Sequence, residues 1–218
     1  MSPETYLKET APAVEAMFKA LNGFNWEKMA AFVDITKART FSDLQEHKER
    51  FYGKHVARDV LAGAILQVAY SGIEKYSKRP EKSEGVCEFE RAMNDLIKDA
   101  EKSRQPRDKR PFRLPEKFCV GRSIGLLPIG VIIYAARNLH HHPFEKRWSV
   151  VNEVVFNYLH QGWPTPPNGL SFNIYDENVF YSYSVLSALG WVYRQEQTAH
   201  QAYESDLRQM LGCSADKA

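Results

Sequence analysis

The segment "ARDVLAGAILQVAYSGIEKYSKRP" constrains the fold most strongly. Leu61, Ala64, Ile65, Val68, Gly72, Ile73 and Tyr76 recur at helical spacing, and Pro80 marks the stop. Gly63 and Gly72 each lower helix propensity by roughly 1 kcal/mol relative to alanine. Their presence points to close approach of a neighbouring helix, so a chain built around this segment packs helix on helix.

The remaining pattern agrees. Within the first fifty residues Val14, Phe18 and Leu21 share one helical face, and Trp26, Met29 and Phe32 another, which predicts short helices there. "TFSDLQEH" reads as a capped start, with Thr40 three residues before Asp43. A further helix is predicted over "VCEFERAMNDLIKDAEK", followed by the proline-rich, basic loop "SRQPRDKRPFRLPEKF". Ile129, Ile132, Ile133 and Ala136 then form an apolar face, with Pro128 suited to the first turn. Trp148, Val151, Val155, Tyr158 and Leu159 predict a helix at about 145–160, and "GWPTPPNG" breaks it. The tail is again helical in period, although "SFNIYDENVFYSYS" alternates enough to admit a short strand. The expected fold is all-α: an antiparallel helical bundle over 56–162, an N-terminal helical extension over 1–55 and a C-terminal one over 163–218, packed as one unit.

Composition narrows the function. The 218 residues are 44% hydrophobic and 26% charged, which suits a globular chain with a substantial core. A net charge of +2 confines any nucleic-acid footprint to a local patch. Cys87, Cys119 and Cys213 lack disulfide-framework or zinc-ribbon spacing and read as reduced thiols. "MSPETYLKET" is not signal-like, and the apolar run "IGLLPIGVIIYAA" is too short to span a bilayer, so a cytoplasmic protein without membrane contact is expected. No Walker loop, dinucleotide-binding glycine pattern or nucleophile elbow is present, which argues against nucleotide hydrolysis, nicotinamide chemistry and esterase work.

"AARNLHHHPF" carries the chemistry, and three readings of it stand open. Adjacent histidines project about 100° apart around a helix, poorly suited to one metal ion, and His47, His55, His160 and His200 are scattered elsewhere. Histidine at a helix C-terminus is also favoured by the helix dipole with no further role. In the third reading, Arg137 binds a phosphate while His142 moves a proton. Asn138 and His142 stand at i and i+4 and can hydrogen-bond, fixing the imidazole tautomer. His140 falls on the apolar face. Arg137 lies some 140° from His142 on a straight helix, so Pro143 would have to release the helix end, or two chains would have to share one groove. An imidazole with a pKa near 6.5 and a permanently charged guanidinium suit RNA, whose 2′-hydroxyl is a built-in nucleophile.

"RNLHHH" matches the R-N-x-x-x-H pattern of the HEPN superfamily, the helical-bundle domains of prokaryotic toxins and defence ribonucleases. "FCVGRSIGLLPIGVIIYAARNLHHHPF" resembles the motif-bearing helix of bacterial and plasmid-borne HEPN proteins, and "RDVLAGAILQVAYSGIEKY" resembles their first bundle helix. The similarity covers roughly 58–160. It implies a metal-independent RNA endonuclease that needs no cofactor, a homodimer with a composite site, and a toxin or defence role with an antitoxin or defence-system partner. By position it assigns Arg137 to the phosphate, His142 to acid–base work and Asn138 to orienting it, with His140 and His141 as alternatives within the triplet. The rival reading is a non-catalytic helical module that binds RNA or protein.

Other residues have weaker claims. Arg104, Arg107, Lys109, Arg110 and Arg113, interleaved with Phe112, read as an RNA-guiding loop or as a solvated connection, and His141 as an RNA contact. Asp59 and Glu74, on the first bundle helix, are expected at the surface, the alternative being that one of them supports the motif through another residue. Tyr134, Trp163, Tyr181, Tyr183 and Trp191 are expected in the core or at an interface.

Overall fold

The computed structural model describes residues 1–78, 91, 94, 95, 98, 116–141, 149–162, 172, 181–192 and 199–213; for 140, 141, 150 and 162 it describes the backbone alone. The described residues form an all-α protein of six helices with one two-stranded β-hairpin. The helices are α1 (Pro3–Lys37), α2 (Phe41–Tyr76), α3 (Ile129–His141), α4 (Val150–Gly162), α5 (Tyr181–Ala188) and α6 (Ala199–Leu211). A 3₁₀ turn (Glu116–Phe118) and the strands β1 (Ser123–Ile124) and β2 (Leu127–Pro128) lead into α3. Arg91, Asn94, Asp95 and Lys98 are helical, in the segment read as a further bundle helix.

Local chemistry sets the helix starts. The Ser2 hydroxyl accepts from the Thr5 amide at 3.2 Å, with Pro3 opening α1. Thr40 Oγ1 accepts from the Asp43 amide at 3.1 Å, the cap expected from "TFSDLQEH". The expected short helices of the first fifty residues are instead one helix of 35 residues and the start of another of 36. Pro12 sits inside α1 without ending it. Leu7, Val14, Phe18 and Leu21 are buried on one face on both sides of that proline, so packing outweighs the lost hydrogen bond. α2 likewise runs unbroken through residues 55 and 56.

α1 and α2 pair antiparallel. The Tyr6 hydroxyl donates to the Val68 carbonyl at 2.7 Å, and its ring lies against Gly72, where a Cβ would fall 2.8 Å from Cε1. That close approach is the one anticipated for this glycine. By length and composition α2 could cross a bilayer, but its apolar half is packed among the other helices.

The core is built on α3. Ile129, Val131, Ile132, Ile133, Ala135, Ala136 and Leu139 are all buried, so the helix is apolar nearly all round, as a central helix must be. It packs on α2, α4 and α5. Pro128, expected in the first turn of this helix, instead ends β2, where it pairs with Ser123. Gly125, with φ +59°, makes the hairpin turn against Tyr158, whose hydroxyl oxygen accepts from the Leu126 amide at 2.9 Å.

The tail is tied into this core. Trp191 is fully buried and donates to Asp206 Oδ2 at 2.8 Å. Arg122 donates to both Asp206 oxygens at 2.9 and 2.8 Å and also to the Leu189 carbonyl. One carboxylate thus joins α6, the α5 exit and the β-hairpin. Of the segment read as admitting a strand, Tyr181–Ser184 is helical and Phe172 is buried.

Candidate functional site

α3 is exposed along one edge only. Tyr134, Arg137 and Asn138 are half-buried while the rest of its described side chains are buried. These positions follow i, i+3, i+4 spacing, so they share one face, and position 141 continues that face by register. The helix runs through His141. Side chains of His140 and His141 lie outside the described residues, as do His142 and the basic positions Arg104, Arg107, Lys109, Arg110 and Arg113, Trp163 and Cys87.

Arg137 is held by neutral groups from two helices. Nε donates to Gln67 Oε1 at 3.1 Å and Nη1 to Asn138 Oδ1 at 3.3 Å. The guanidinium carbon lies 4.7 Å from the centre of the Tyr70 ring. Gln67 in turn donates through Nε2 to Ser71 Oγ at 3.0 Å, which leaves its carbonyl oxygen turned to the guanidinium. Tyr70 is braced by Phe118, with centroids 4.9 Å apart, and by Tyr134 at 6.1 Å. Its hydroxyl donates to Glu74 at 3.2 Å, and burial together with the Glu74 charge pushes the phenol pKa up, so it remains a donor. Among the described residues no carboxylate pairs with Arg137.

Arg137 and Asn138 are therefore adjacent, as their spacing requires. The Asn138 carbonyl oxygen faces Arg137; its expected bond to His142 involves a residue outside those described. Sequence reasoning missed Gln67, Tyr70 and Ser71 as partners. The signal was present as a polar stripe at 67, 70, 71 and 74 along the otherwise apolar inner half of α2.

A second polar cluster lies where α1, α2 and α5 meet. The Arg58 guanidinium stacks 3.7 Å over the Tyr183 ring and donates to Asn25 Oδ1 at 3.1 Å, while Asn25 donates to the Tyr183 hydroxyl at 2.8 Å. Asp59, expected at the surface, is buried and accepts from the Tyr183 amide at 3.0 Å in the first turn of α5. Glu74 is exposed as expected. Burial, then the charges of Lys28 and Arg58, lower the His55 pKa to about 4; burial and Arg58 lower that of Lys28 to about 8. Trp191 and Tyr183, expected in the core or an interface, are buried, and Tyr181 is half-buried. Among the described residues no three His, Cys, Asp or Glu side chains are grouped to hold a metal ion.

Comparison with protein-family models, with curated proteins and with solved structures finds no match to this chain.

Proposed function

We propose that this chain is a metal-independent RNA endonuclease of HEPN type, working as a homodimer in toxin or defence biology. The supporting observation is the state of Arg137. Its guanidinium is oriented by Gln67, Asn138 and the Tyr70 ring, all neutral, so its positive charge is pre-aimed and no carboxylate among the described residues neutralises it. A cation held in this way suits a phosphate whose charge grows in the transition state.

In this reading the imidazole of His142 takes the 2′-hydroxyl proton and the 2′-oxygen attacks phosphorus. The 5′-oxygen leaves with a proton, giving a 2′,3′-cyclic phosphate and a 5′-hydroxyl. Arg137 stabilises the phosphorane, and Gln67 is a positioning residue that keeps the guanidinium aimed. Two copies would place an Arg137 and a His142 on one linkage.

The test is cleavage of single-stranded and tRNA-like RNA by purified protein in EDTA. Wild type should cut and leave cyclic-phosphate ends, and a 2′-deoxy substrate should survive. Arg137→Ala and His142→Ala should each lose at least ~100-fold in rate, the usual cost of removing an electrostatic or proton-transfer group. His141→Ala, run alongside, decides which imidazole of the triplet works. Intact RNA with folded wild type would instead favour a non-catalytic binding module, and loss of activity in EDTA with co-purifying metal would favour a metal enzyme.

A further inference from the structure

We infer that the site around Arg137 selects guanine in a single RNA strand, with Glu74 as the residue that recognises the base. The inference rests on Arg137 binding a phosphate and adds what stands beside that phosphate. Tyr70 links the two groups. The Arg137 guanidinium carbon lies 4.7 Å from the centre of its ring, and its hydroxyl donates to Glu74 Oε1 at 3.2 Å. After burial, the two charges that act on the Tyr70 phenol are Glu74, which raises its pKa, and Arg137, which lowers it. A cation and an anion so near would ordinarily pair. Here the ring separates them, and among the described residues neither has an oppositely charged partner.

The free end of Glu74 defines the ligand. The residue is exposed, and Oε2 makes no bond to a described residue. An ionised carboxylate only accepts hydrogen bonds and has several lone pairs; the Tyr70 hydroxyl engages one and fixes the orientation of the rest. Lys117, whose Nζ donates to the Glu74 backbone carbonyl at 3.2 Å, leaves the carboxylate unbonded. Glu74 stands two turns along α2 from Gln67, which holds Arg137, about 10 Å along the axis. That separation suits a nucleotide with its phosphate at one end and the pairing edge of its base at the other. Unstacked bases of single-stranded RNA are read on that edge. Guanine presents two adjacent N–H donors there, N1–H and the N2 amino group, which one carboxylate accepts together. Adenine and cytosine each place an acceptor nitrogen beside their amino group. Uracil flanks its single N–H with two carbonyls. Each of these three sets a lone pair against the carboxylate, so the charge that attracts guanine repels them.

The experiment reads binding, so it does not depend on cleavage. Labelled 2′-O-methyl uridine decamers carrying one central guanosine, adenosine or inosine, also 2′-O-methyl, are titrated with the full chain in EDTA and followed by fluorescence anisotropy. Wild type should bind the guanosine strand about tenfold tighter than the adenosine strand, the usual discrimination of a bidentate base contact. Inosine, which lacks the N2 amino group, should fall between them. Glu74→Gln should bring the guanosine and adenosine strands to the same affinity at unchanged helical circular dichroism. Equal binding by wild type overturns the inference, as does a preference that survives in Glu74→Gln. Cleavage in EDTA without base preference would in either case leave the ribonuclease reading standing. A guanosine preference in a protein that cuts no RNA would sink that reading and support this one. Displacement of the decamer by an equal concentration of guanosine monophosphate would assign the site to the free nucleotide and overturn the inference. So would absence of binding up to about 100 µM, the weak limit of non-specific nucleic-acid affinity.

Discussion

The two halves of α2 are one unbroken helix placed in two different environments. From Phe41 to Ala57 no residue is buried; from Arg58 to Ile73 ten are. The outer half touches α1 and is laced with charge, including the exposed Arg50–Asp34 pair and the Lys54–Glu27 pair. The inner half alternates Ala and Gly with Ile and Leu and packs on α1, α3, α5 and α6. Helix continuity is a backbone property that a good cap and moderate propensity can sustain for ten turns. Burial depends on what the rest of the chain places alongside.

The largest expected effect separates the halves directly. Leu66→Ala removes a fully buried side chain and should cost about 2–5 kcal/mol in urea unfolding. Tyr52→Ala, on the exposed half, should stay within about 0.5 kcal/mol when measured where the protein is monomeric. Equal losses would break the comparison. A smaller loss is expected of Gly72→Ala. The new methyl would meet a Tyr6 ring tethered by its hydroxyl to Val68, so overpacking should cost about 1–3 kcal/mol, with faster amide exchange at the start of α1. The least effect concerns pH. His55 is held neutral by burial and by Lys28 and Arg58, with its pKa lowered from 6.5 to about 4. Between those values the unfolded chain binds the extra proton, so acidification through that window should reduce stability. His55→Gln should flatten the slope there, modestly, because the site is only half-buried and solvent screens it. An unchanged slope would remove His55 from the account.

Helix type, the Thr40 cap and the close approach at Gly72 were all legible, because each rests on residues within a few positions or on one helical period. Helix length was not. Two apolar faces in the first fifty residues read as short helices, yet tertiary packing along Leu7, Val14, Phe18 and Leu21 carries α1 through Pro12 and Gly23 as one helix. Periodicity also marked Trp26, Met29 and Phe32 as an apolar face without revealing that Phe32 meets Phe51 of α2 while Trp26 stays largely exposed. At the candidate site, the adjacency of Arg137 and Asn138 follows from sequence, but Gln67 is seventy residues away and only the fold brings it to the guanidinium. Asp59 shows the same limit. It reads as a surface acid, and its role in the first turn of α5 depends on a contact 124 residues distant.

The carboxylate shared by Arg122 and Trp191 also bears on the order of biosynthesis. Asp206 reaches the hairpin that launches α3, and its helix also covers α1. A ribosome must therefore extrude the chain to about position 211 before the earliest-made helix, already paired with α2, gains its last neighbour. Until then the nascent polypeptide carries a half-clad hairpin whose apolar flank only the C-terminal helix closes.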